Sequence, residues 1–126
     1  MNREPAGPVD PRIAQGVELF NRREFHDAHE VWEDVWRDTP GPERAFYQGL
    51  VKAAVCAFHA GRGNRGGAET MYGGAMALLR PFAPAREGID VERFLKEFEA
   101  WFIATDRGGF AEIGEVPKIH GLAGAK

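Results

Sequence analysis

Residues 42–60, PERAFYQGLVKAAVCAFHA, narrow what this chain can fold into more than any other stretch. Pro42 can sit in the first turn of a helix, where its missing N–H leaves no bond unmade. The breaker run from Gly61 to Gly67 ends the helix near Ala60. Phe46, Tyr47, Leu50, Val51, Ala53, Ala54, Val55, Cys56, Ala57 and Phe58 cover its circumference. Only Gln48, Lys52 and His59 interrupt it, and helical geometry puts them in one row about 40° wide. A helix apolar on nearly every side must be surrounded by other helices. The stretch therefore predicts an all-α bundle with this helix, the third in order, at its centre.

The flanking patterns supply the neighbours. Asp10-Pro11 reads as an N-cap followed by proline, opening a first helix that buries Ile13, Val17 and Phe20 and runs to about Arg23. A second helix spans 25–38 and stops before Pro40-Gly41-Pro42. A fourth covers about Ala68 to Arg80, with Met71, Tyr72, Ala75, Met76, Leu78 and Leu79 inward and Gly73-Gly74 permitting close approach of another helix. Pro81 and Pro84 close it. A fifth starts after Asp90 and buries Val91, Phe94, Leu95, Phe98, Trp101 and Phe102 at i, i+3, i+4 spacing, until Gly108-Gly109. No segment has a convincing strand period. The expectation is a compact bundle of about five helices built from antiparallel hairpins. Residues 1–9 form a flexible leader, 10–106 the helical domain and 107–126 an extended C-terminal tail.

Length and charge exclude several classes. A chain of 126 residues suits one domain and can bury a core without disulfides. Sixteen Lys plus Arg against 19 Asp plus Glu, a formal charge of −3, give no general electrostatic footprint for nucleic acid or anionic membrane. No stretch approaches the roughly 18 apolar residues of a membrane helix. The single Cys56 lies in an apolar run, so a reducing, cytoplasmic setting is expected, with the thiol as a small buried apolar group.

The chemistry-bearing residues gather in FHDAHEVWEDVWRD, the second helix. Phe25, Ala28, Val31, Trp32, Val35 and Trp36 form one apolar arc, with His26, His29 and Glu33 along its edge. His29 and Glu33, four apart, have the spacing by which one helix presents two metal ligands, as the histidines of HExxH do. Here the sequence reads HEVWE, and the second histidine is missing. Any metal would draw on His26, His29 and Glu33 plus an outside donor such as Gln48, His59 or His120, so tight metal binding is not expected, nor is any cofactor. Without metal, the same pair can line a cleft or buttress Trp36 at a helix seam. Asp27, Glu30, Asp34 and Asp38 form an acidic face of the kind that is usually solvated. Lys52 is expected to pair with Glu33. The run GRGNRGG lacks the lysine and preceding strand of a phosphate loop, and reads as an inter-helix turn.

The segment FNRREFHDAHEVWEDVWR, with Gln48-Gly49 in FYQGLVKAAVCAFHA and His59, Asn64 and Gly67-Ala68 in HAGRGNRGGAETM, resembles the bacterial and archaeal family called domain of unknown function 309. The likeness covers roughly residues 13–106. It implies a compact all-helical domain whose marked positions are His29, Glu30, Glu33, Trp36, Gln48, Gly49, His59, Asn64, Gly67 and Ala68. It implies no activity. His26 and the glycine-rich tail lie outside the pattern.

Three functions fit these residues. The first is a helical binding module that holds a small molecule or peptide beside helices 2 and 3 through His29, Glu33, Gln48, Lys52 and His59. The second is a small metal-dependent or acid–base hydrolase, for which neither a nucleophile nor a full ligand set is recognisable. The third is a structural homo-oligomer in which the polar cluster fixes helix packing.

Overall fold

A computed structural model of the chain describes residues 10–121. It contains five helices, as the periodicities predict: α1 (Pro11–Asn21), α2 (Phe25–Asp38), α3 (Arg44–Gly61), α4 (Arg65–Leu79) and α5 (Val91–Arg107). The expected leader at 1–9 lies outside the described residues, as do the last five positions. None of the described helices is long and apolar enough to cross a membrane.

The central position of α3 follows from its sequence. It buries nine residues, more than any other helix, and packs chiefly against α2 on one side and α4 on the other. Phe25 and His26, at the start of α2, share a cleft with Phe58 and His59, at the end of α3. Trp36 and Gln48 meet at the opposite ends, so the two helices run antiparallel. Gly49 lets α3 approach α4 closely: a Cβ there would lie 2.7 Å from Cγ of the buried Leu79. Gly16 does the same for α1 and α2, where a Cβ would fall 2.1 Å from Nε1 of Trp32.

α5 closes the bundle through aromatic contacts. Phe94 meets Phe20 of α1 edge-on with ring centroids 5.9 Å apart, and Phe102 stacks on Tyr72 of α4 at 4.1 Å. The described chain beyond α5 then runs over the bundle as an irregular segment, burying Phe110, Val116 and Ile119. Its backbone is held by side chains of the α1–α2 turn. The Asn21 amide donates to the Ile119 carbonyl at 2.9 Å and accepts its N–H at 2.8 Å, and Arg23 donates to the Val116 carbonyl at 2.9 Å.

Three local expectations need correction. A minimal hairpin, β1 (Ala85–Arg86) and β2 (Ile89–Asp90), stands where no strand was expected. Two-residue strands have no period to read, and the hairpin is made by its turn, in which Glu87 and Gly88 both have positive φ, 55° and 74°. The Tyr47 hydroxyl donates to Glu87 at 2.9 Å and helps hold that turn. α1 stops at Asn21 rather than Arg23, because Arg23 takes a left-handed conformation at φ 72°. α4 starts at Arg65 rather than Ala68. Asn64 caps it by accepting the Gly67 N–H at 3.0 Å, so Gly66 and Gly67 lie inside the first turn despite their low helix propensity.

Candidate functional site

Three helices each contribute a stripe to one open cleft of about 270 Å³. His29, Glu33 and Trp36 come from α2, Gln48, Val51, Lys52 and Val55 from α3, and Met71 from α4. Spacings of three, four and seven keep each set on one helical face. A second cleft of about 230 Å³ adjoins the first. His29 and Val55 line both, and Phe25, His26, Phe58 and His59 complete the second. Of the five residues expected to bind a ligand, four therefore share one cleft, and His59 lies in its neighbour.

His29 stands between the two clefts. Its Nδ1 donates to the His26 carbonyl at 3.2 Å, and its Nε2 lies 3.4 Å from Oε1 of Glu33. The other oxygen of Glu33 is 3.9 Å from Arg37. His26 is turned to Glu30, with 3.3 Å between Nε2 and Oε2. Each imidazole of α2 thus faces its own carboxylate one turn further on, not a common centre. Among the described residues no group of three or more His, Cys, Asp and Glu side chains converges as a metal ion would require.

The expected pairing of Lys52 with Glu33 does not form. Glu33 is met by His29 and Arg37, while Lys52 lies along α4. Gly74 makes the room: a Cβ there would come within 2.8 Å of Lys52 Cδ and 3.6 Å of its Nζ. Among the described residues Lys52 has no ion-pair partner, and the Gln48 amide, one turn before it, has no hydrogen-bond partner. Trp36 is covered by Arg44, whose guanidinium sits 4.4 Å from the ring centroid.

His59 belongs to the corner between α3 and α4. Asn64 gives its Oδ1 to the Gly67 N–H, so its Nδ2 faces Nδ1 of His59 at 3.2 Å and donates to it. The ring proton of a neutral His59 is therefore on Nε2. A Cβ on Gly67 would fall 2.8 Å from the imidazole, and Ala68 behind it is fully buried. His59, Asn64, Gly67 and Ala68 therefore build a turn. His29, Glu33, Trp36 and Gln48 face the first cleft, and Glu30 is an exposed partner of His26.

Residue-type reasoning missed four contributors. Val51, Val55 and Met71 were expected in the core but are only half-buried and line the clefts, and Gly74 receives Lys52. The position of Val51 and Val55 three and seven beyond Gln48 on the same face is a signal that could have found them.

Comparison with known proteins comes to the same family. Residues 13–71, which hold most of α1, all of α2 and α3 and the first half of α4, match the model of the family described as Domain of unknown function (DUF309). This is the family that the motifs of the stretch resemble. Over 83 residues the chain is 29% identical to an uncharacterized protein of Bacillus subtilis (strain 168), YpuF. That alignment covers 64% of this chain and 48% of the relative, so the chain spans about half the length of the curated protein it matches.

Proposed function

We propose that this domain is a binding module whose groove between α2, α3 and α4 takes a small, partly apolar ligand. The observation that carries the reading is the convergence of His29, Glu33, Gln48 and Lys52 on a cleft otherwise lined by Trp36, Val51, Val55 and Met71. Binding sites for small molecules have this composition, an apolar lining with a few polar groups that fix orientation. The groove is smaller than a typical drug-sized site, which suits a ligand of modest size.

Hydrolysis has less support. His29 pairs with a carboxylate and a backbone carbonyl, not with a hydroxyl or thiol that it could activate. The one thiol, Cys56, is buried, which pushes its pKa up to about 12 and keeps it protonated at neutral pH.

A screen of small apolar fragments followed by backbone-amide NMR tests the reading. Shifts should cluster on the facing stripes of α2, α3 and α4. Val51→Trp, which fills the cleft, should abolish them while leaving a dispersed, folded spectrum. Shifts centred elsewhere, or persisting in Val51→Trp, would overturn it.

A further inference from the structure

From the arrangement of Gln48 and Lys52 we infer that the α2–α3–α4 groove selects a carboxylate carried on an apolar body. This inference rests on the binding reading above and adds the chemical class of the ligand. Gln48 and Lys52 are one helical turn apart on α3, so their side chains project side by side into the same cleft. Both are donors without a protein partner among the described residues: an amide N–H₂ and an ammonium. Two adjacent donors, one of them charged, match the two oxygens of a carboxylate.

The surroundings favour an anion on three counts. Among the described residues Lys52 is the one Lys or Arg lining the cleft, and Glu33, the one carboxylate there, has an oxygen 3.9 Å from the Arg37 guanidinium. The remaining repulsion between Glu33 and an incoming anion is therefore reduced. The stem of Lys52 lies beside Gly74, within 2.8 Å of where a Cβ would be, so the missing side chain leaves the ammonium room between α3 and α4 at the cleft. Beyond the donors the lining turns apolar, with Val51, Val55 and Met71 in this cleft and Phe58 in the next. The body of the ligand would lie there.

The test compares phenylbutyrate with its neutral amide, phenylbutyramide, by NMR titration against the intact protein at neutral pH. The two probes share a body and differ in charge. A hydrogen bond to a charged group contributes about 1.5–3 kcal/mol, so the acid should bind at least roughly tenfold more tightly than the amide. Lys52→Met keeps the aliphatic stem and removes the charge, and should bring the acid down to the affinity of the amide. Equal binding of acid and amide to the wild-type protein would overturn the carboxylate inference and leave the binding module standing. Acid selectivity that survives Lys52→Met would also overturn it. If neither probe moved the amides of the groove, in a protein that also binds no other apolar fragment, both readings would fall together.

Discussion

The two sides of the bundle treat their polar groups in opposite ways. Where α5 and the tail close on α1, aromatic rings pack together and polar atoms are answered by backbone, although a cleft of about 460 Å³ stays open between α1, the hairpin turn and the end of the tail. The Trp101 indole and the Thr105 hydroxyl both donate to the Ile113 carbonyl, and Asn21 forms a two-way bond with Ile119. On the side formed by α2, α3 and α4, Gln48 and Lys52 line an open cleft with no group among the described residues to meet them. A packed interior leaves polar groups unanswered only at a cost, whereas a groove open to solvent keeps them hydrated until something replaces the water. The contrast separates a face that holds the fold together from one that is free to bind. It can be broken or sharpened by substitutions on each side.

The largest effect belongs to the closed side. Phe98 is fully buried and stacks between Phe94 at 4.9 Å and Trp101 at 5.4 Å. Phe98→Ala should destabilise the protein by about 3–5 kcal/mol, the range for emptying a phenylalanine site. Chemical denaturation would show it as a large fall in the midpoint. A small fall would mean that this side is looser than its contacts indicate.

Overpacking the same side should come next. Gly16→Ala would place a methyl 2.1 Å from Nε1 of Trp32, whose indole N–H donates to the Ile13 carbonyl at 3.3 Å. The fully buried indole has nowhere to retreat, so a loss of about 1–3 kcal/mol is expected. The gain in helix propensity from Gly to Ala, about 0.5–1 kcal/mol, offsets only part of the strain. Unchanged or raised thermal stability would show that α1 and α2 can move apart.

Asn64→Ala probes the corner where the groove meets the fold. It removes the cap from Gly67 N–H and the partner of His59 Nδ1 together. Losing a cap costs about 1 kcal/mol. A fall of this size in the thermal midpoint, with resonance changes at His59 and the start of α4, would place the corner on the structural side of the comparison.

These contrasts also mark what could be read in the sequence. The bounds of α2 at 25–38 and the cap at Asp90 were legible because apolar period and cap chemistry agree there. The central place of α3 follows from its composition alone. The start of α4 was not legible, since a glycine pair looks like a breaker until Asn64 is seen to reach Gly67. The grouping of His29, Glu33 and Gln48 could be anticipated, because the polar edges of α2 and α3 both border faces that must pack. Where Lys52 would lean could not. Helical geometry fixes its direction from α3 but not which flanking helix leaves it room, and that depends on Gly74 in α4.

The smallest expected effect decides most about the groove. Gln48→Ala and Lys52→Met remove groups with no partner among the described residues, so neither leaves a described buried donor or acceptor unsatisfied. Substitutions of that kind usually change stability by no more than about 0.5 kcal/mol. Lys52→Met also keeps the stem that lies over Gly74. The two variants should therefore melt within a degree or two of the parent, given that 1 kcal/mol shifts Tm by roughly 4 °C in a domain of this size. If either variant instead lost as much stability as Asn64→Ala, its polar group would be helping to hold α2, α3 and α4 together. The groove would then be a seam, and the difference between the two sides of the bundle would disappear. A pair of near-neutral variants would leave Gln48 and Lys52 with no structural duty, which is the condition under which their place in an open, mostly apolar cleft is explained by what they bind.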